Sequence, residues 1–139
     1  MLYVIIQFSL LFYMGYNTDW TKSNYISLIL FCLSISLGLW ALFSMGLKNL
    51  SVFPNPKKNA EMQIRGPYRL IRHPMYTAVL LFSIAMYFMK PSWYMFVALM
   101  FLLVDLIFKL RFEERLLMQK FQDYNTYKKT TYCLIPFIY

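Results

Sequence analysis

The chain has 139 residues, a length suited to one domain. Hydrophobic residues make up 60% and charged residues 14%, against about 25% charged in soluble domains. This composition, with a mean hydropathy of +0.47, indicates an integral membrane protein and argues against a soluble one. The formal charge of +8 does not point to nucleic acid, because the basic residues sit in two blocks beside apolar segments, a placement that membrane topology explains.

Other classes fall away on residue usage. Cys32 and Cys133 form no CxxC pair, so neither a disulfide framework nor a zinc site is expected; Cys32, in an apolar run, reads as plain packing. His73 is the single histidine, too few for a His-rich metal or haem site, and no metal ligand is assigned. The glycines are Gly15, Gly38, Gly46 and Gly66, so no Gly-x-Gly-x-x-Gly dinucleotide loop exists.

Leu2 to Tyr16 is apolar but only 15 residues, short of a roughly 30 Å hydrocarbon core at about 1.5 Å per residue. No basic residue precedes it and no small-residue cleavage site follows, so a signal peptide is not favoured. It reads as a short spanning helix reaching toward Trp20, an interfacial anchor, over about residues 2–20. Asn17 to Asn24 is a polar loop. Tyr25 to Leu47 runs 23 residues without a charge and is the clearest span; Ser34, Ser36 and Gly38 offer small surfaces for close helix packing.

Lys48 to Arg72 is a loop broken by Pro54 and Pro56. Met75 to Met89 is a third apolar segment, with Pro74 at a first-turn position. Lys90-Pro91 turns the chain into Ser92–Leu110, which carries Asp105, so segments three and four form a helical hairpin. From Arg111 to about Tyr127 the sequence stays helix-compatible, with Phe112, Leu116, Leu117 and Phe121 near one face, as in an amphipathic helix at the membrane surface.

The expected fold is therefore all-α: a polytopic membrane bundle of about four spans (2–20, 25–47, 74–89, 92–110) plus a cytosolic amphipathic helix, in one domain over 1–139. Twelve basic residues lie in the second loop and around the last segment; only Lys22 and Lys90 lie on the other side. That bias places both termini, the second loop and any chemistry on the cytoplasmic side.

Two polar blocks stand out. In Gly66-Pro67-Tyr68-Arg69-Leu70-Ile71-Arg72-His73-Pro74-Met75-Tyr76, a helix starting near Pro74 puts His73 and Tyr76 on one face. Arg72 and His73 can bind an anion, and Tyr68 and Tyr76 can stack on a base or face a cation. A positive-inside anchor with interfacial tyrosines stays open for this block. In Arg111-Phe112-Glu113-Glu114-Arg115, adjacent carboxylates can neutralise a cation, or simply start a solvated helix. Asp105 is read as an i,i+4 partner of Lys109.

Taken together, the blocks resemble the isoprenylcysteine carboxyl methyltransferase family of membrane enzymes and its small bacterial relatives. The first family motif, Gly-x-Tyr followed by Arg-His-Pro-x-Tyr, is matched over Gly66–Tyr76, with Pro54-Asn55-Pro56 upstream. The second is matched by Glu113-Glu114, Leu117, Phe121, Tyr124, Tyr127 and Ile135-Pro136. The likeness covers about 48–139, the expected catalytic part. It departs from the family at Ala78, where glycine is usual, at Phe121-Gln122-Asp123-Tyr124, one residue short, and at Lys90-Pro91 in the hairpin turn.

The resemblance implies S-adenosylmethionine as cofactor and methyl donor. It implies cofactor contacts from Tyr68, His73, Pro74, Met75 and Tyr76, mostly backbone contacts from Ala60, Glu61, Met62 and Gln63, and a carboxylate from Glu113 or Glu114, between which the shortened spacing does not decide. Arg72 and Glu114 would serve the reaction, and Arg111 would face the methyl acceptor. The acceptor would be lipophilic: an isoprenylcysteine-type carboxylate, or else a phospholipid amine or a thiol. Its partners are then the bilayer and this small molecule, not nucleic acid, and four helices are few to enclose both ligands, which leaves a homodimer open. A non-catalytic membrane subunit of the same fold is the competing expectation; a channel or transporter lacks support, since no inverted repeat is visible.

Overall fold

The computed structural model describes residues 2–49 and 62–136. Pro54-Asn55-Pro56, Ala60 and Glu61 lie outside the described residues. The described residues form five helices and no strand: α1 (Leu2–Asn17), α2 (Tyr25–Asn49), α3 (Pro74–Met89), α4 (Trp93–Lys120) and α5 (Tyr124–Thr130), with a 3-10 turn at Gly66–Arg69. The all-α expectation holds.

Each boundary has a local cause. A helix leaves its last carbonyls without partners, and at the end of α1 three side chains supply them. Asn17 Nδ2 donates to Tyr13 O, Thr18 Oγ1 to Met14 O and Trp20 Nε1 to Gly15 O. The helix thus stops at Asn17, short of the expected reach to Trp20, which folds back as a cap. Asn24 and Ser27 start α2 with a reciprocal pair: Ser27 N donates to Asn24 Oδ1 (2.8 Å) and Asn24 N to Ser27 Oγ (3.0 Å). Pro74 opens α3 as its first residue.

Helix α4 differs from expectation. It runs unbroken for 28 residues, about 42 Å at 1.5 Å per residue, so the amphipathic stretch from Arg111 to Lys120 is its own continuation. The break comes at Phe121, in extended conformation, and α5 follows as a separate short helix.

The core lies between α1, α3 and α4, where Met14, Leu80, Met86, Met95, Ala98, Leu99, Leu102 and Leu106 are buried. Helix α2 packs along α3 through two of its three small residues: Ser34 Oγ donates to Ala78 O (2.8 Å), and Gly38 faces the Ala78 side chain. Ser36 and Cys32 instead point outward, so Cys32 is not a packing residue. The outer faces of α1 and α2 are apolar, with Phe8, Phe12, Leu33, Trp40 and Phe43 exposed. One stretch, Tyr25–Gly46, is by length and composition able to cross a membrane; α1 and α3 are apolar but shorter.

The Asp105–Lys109 pair does not form. Lys109 Nζ donates instead to Gln7 Oε1 on α1 (2.7 Å) and lies 4.9 Å from the centre of the Tyr76 ring, while Asp105 Oδ2 is buried without a hydrogen-bond partner. A buried ammonium takes the partners that packing brings to it, and α1 brings Gln7.

Candidate active site

The first motif begins with a close approach. Gly66 has φ +60, and a Cβ there would collide with the Ser44 side chain on α2. Only glycine lets the loop lie this near α2. The Gln63 side chain holds the same loop: its amide donates to Ser44 O, and its Oε1 accepts from Ile64 N and Arg65 N. After the 3-10 turn, Ile71 pairs in parallel with Tyr132 through an isolated bridge. Tyr132 N donates to Leu70 O (2.9 Å), Arg72 N to Tyr132 O (2.8 Å) and His73 N to Cys133 O (3.1 Å). Thr77 Oγ1, on the first turn of α3, donates to Leu134 O (2.7 Å). Residues 131–134 therefore form a strap across the entry to α3.

Under the strap the two motifs meet. Arg72 Nε donates to Glu114 Oε1 at 2.7 Å, and Arg72 Nη1 to the carbonyls of Lys128 and Thr131. Lys128 Nζ reaches the other oxygen of Glu114 at 2.7 Å. His73 Nε2 lies 3.5 Å from Glu114 Oε1, without the alignment of a hydrogen bond. Glu113 turns to a different partner: Tyr76 OH donates to its Oε2 at 2.6 Å. The His73 and Tyr76 rings stack, 5.3 Å between centres and 4° apart, as expected of neighbours three positions apart at a helix start.

The charges follow from these contacts. Burial alone would raise the Glu114 carboxyl, but the contacts from His73, Lys128 and Arg72 overrule it and hold it well below the usual carboxylate range. Burial opposes the charge on Arg72, and the Glu114 bond more than offsets it, so the guanidinium sits above its usual value. Burial, reinforced by Glu113, pushes the Tyr68 phenol up; burial and Glu114 do the same to Tyr124. Burial pushes Tyr127 up to about 12 and, with Glu114 beside it, the Cys133 thiol up to about 11. Tyr68, Tyr124, Tyr127 and Cys133 therefore keep their protons at pH 7. Tyr127 OH donates to Tyr68 O at 2.6 Å, while Tyr68 OH and Tyr124 OH are buried without partners.

His73, Glu114 and Cys133 place their ligating atoms within 4.8 Å of one another. Glu114 already carries two cations at 2.7 Å, and the thiol beside it is held protonated. The chemistry of that set is an internal ion-pair network rather than a metal cage.

Of the residues expected from the sequence, Arg72, His73, Tyr76, Glu113 and Glu114 come together, with Tyr68 beside them through Tyr127. Pro74 is fully buried beneath the group and Met75 half-buried. Met62 stands on the wall of a cavity of about 380 Å³ shared with Arg69, Thr126, Tyr127 and Thr131. Arg111 is exposed on α4 and stands apart. Sequence reasoning missed Lys128, Thr131 and Cys133, whose parts depend on the strap. It also missed Gln7, whose signal was available: an amide alone among apolar neighbours in α1.

A comparison with curated proteins found no match. A family model described as phospholipid methyltransferase matches residues 23–124. That range takes in α2 to α4 and both motifs up to Tyr124, and it agrees with the membrane methyltransferase resemblance carried by the Gly66–Tyr76 and Glu113–Tyr124 residues. With well over half of the chain matched, the protein belongs to the phospholipid methyltransferase family of membrane methyltransferases.

Proposed function

We propose that the protein is a multi-pass membrane enzyme that transfers a methyl group from S-adenosylmethionine to a lipophilic acceptor, with its site at the cytoplasmic face. The observation that carries this reading is the junction of the two motifs: Arg72 on Glu114 at 2.7 Å, beside Tyr76 on Glu113 at 2.6 Å. The apolar outer faces of α1 and α2 and the twelve-to-two bias of basic residues support four spans with this junction cytoplasmic.

The residues suit the cofactor. It presents an ammonium, a sulfonium, a carboxylate and an adenosine. Glu113 is partly exposed (26%), and only its Oε2 is engaged by Tyr76, so it can receive a cation. The Tyr68 OH, buried without a hydrogen-bond partner, is the kind of polar atom that a ligand satisfies. Glu113, Tyr68, His73, Met75 and Tyr76 would hold the cofactor, with Met62, Gln63, Ala60 and Glu61 contributing from the preceding loop. When bound, the cofactor supplies a methyl group made electrophilic by its positive sulfur.

The chain's own residues then position and shield. The Arg72–Glu114–Lys128 network fixes the start of α3 against the strap, and with it the His73–Tyr76 stack. The strap and Tyr124 cover the site against water. Catalysis rests on in-line alignment and exclusion of water, without a covalent enzyme intermediate. Exposed Arg111, one turn before Glu114, is assigned to the acceptor. A carboxylate acceptor of the isoprenylcysteine type needs no base; an amine or thiol must lose a proton. The family match to phospholipid methyltransferases favours the amine as the second reading.

The test is calorimetry of S-adenosylmethionine on detergent-purified protein, wild type beside His73→Ala and Glu113→Ala. Micromolar binding, lost in both variants, is expected. No binding by folded wild type would overturn the reading in favour of a non-catalytic relative. Transfer of a labelled methyl group into a membrane extract then separates acceptors: a carboxyl methyl ester is released by mild base and an N-methyl group is not.

A further inference from the structure

Lys109 is 3% exposed, at the inner end of the fourth expected span. A lysine stem is long enough to carry its amine outward to water, and intramembrane charges that stay inside are held there by partners. The partners of Lys109 come from two other helices. Gln7 of α1, itself 6% exposed, accepts from Nζ at 2.7 Å. The Tyr76 ring of α3 lies 4.9 Å from Nζ, within the range of a cation–π contact.

Tyr76 is thereby held three ways: by its hydroxyl on Glu113, by its stack with His73 and by the ammonium of Lys109. The first two contacts belong to the motifs. The third depends on α1, which lies outside the family-matched residues 23–124. We propose that Gln7 and Lys109 are positioning residues. Gln7 holds the Lys109 ammonium against Tyr76 and so makes α1 a working part of the site. This rests on the cofactor reading above, in which Tyr76 contacts the bound nucleoside.

The experiment is a double-mutant cycle on the full-length protein in detergent, with affinity for S-adenosylhomocysteine, the demethylated product, as the readout. Lys109→Met and Gln7→Met should each weaken binding by about tenfold. Lys109→Arg and Gln7→Glu, which keep a cation and an acceptor in place, should restore it to within about threefold. In a Tyr76→Leu background, Lys109→Met should cost nothing further, because its route to the ligand is gone. A purely structural role would lower the melting temperature in both backgrounds alike and leave the two affinity losses additive. Unchanged affinity in the single variants, or additive losses in the cycle, overturns this inference alone. Absence of binding in wild type overturns the cofactor reading and this inference with it.

Discussion

Arg72 and Glu114 are 42 positions apart in the chain, yet Nε of one lies 2.7 Å from Oε1 of the other. Their side chains are only 8% and 7% exposed. The bond joins the entry of α3 to the part of α4 that extends past the expected span. Breaking one side of a buried pair leaves the other charge without compensation, at about 3–5 kcal/mol. Lys128 is 41% exposed, so water can take over its amine; the loss falls on Arg72. Glu114→Gln should therefore destabilise the protein by about 3 kcal/mol, measured by denaturant unfolding in detergent. Removing both partners, as Arg72→Met with Glu114→Met, should cost less than the sum of the two single changes.

The same carboxylate sets an acid limit. Its folded value lies well below the usual range, whereas an unfolded glutamate titrates near 4.3. The stability it contributes is fully present above that unfolded value and drains away as pH falls toward the folded one. Melting temperatures followed from pH 7 to pH 2 should turn down below about pH 4, and Glu114→Gln should flatten that part of the decline.

Gly66 and Gly46 both have positive φ, +60 and +71, but differ in surroundings. A Cβ at Gly46 meets nothing within 4 Å, whereas one at Gly66 would strike Ser44. Gly46, with ψ 156, lies in a region open essentially to glycine, and alanine there should cost about 1–3 kcal/mol for the backbone alone. Alanine at Gly66 should cost more, because α2 must also yield. Paired unfolding curves check the order; equal losses would remove the steric contribution.

Cys133 is 4% exposed and its thiol is pushed up to about 11, so the thiolate that reacts with alkylating agents is scarce in the folded state. In a Cys32→Ser background, maleimide labelling at pH 7.5 should proceed only after unfolding. Rapid labelling of the native protein would mean that the strap opens freely.

Much of this could be read from the chain beforehand. Pro74 marks the start of α3, the uncharged run from Tyr25 marks α2, and the His73–Tyr76 spacing correctly places the two rings together. What stayed hidden depends on proximity that no local pattern encodes. Nothing near Lys109 says that Gln7, some hundred positions away, will outbid Asp105 one turn below. Nothing around Phe112 says that α4 continues unbroken past Leu110 to Lys120, because amphipathic periodicity is the same in one helix as in two. The strap was invisible for a related reason: bonds that hold it end on its main-chain groups, as in Arg72 N to Tyr132 O and Thr77 Oγ1 to Leu134 O, and such groups carry no side-chain signature in residues 131–134.

The parallel pairing of Ile71 with Tyr132 also fixes an order of assembly. All five helices are synthesised before residues 131–134, so at the ribosome α3 and α4 can meet while the site between them is still unsealed. During that interval Glu114 must hold Arg72 without the carbonyl of Thr131. Ligand binding should therefore be the last property the nascent protein acquires, and a chain stalled just after α4 should insert fully and yet bind nothing.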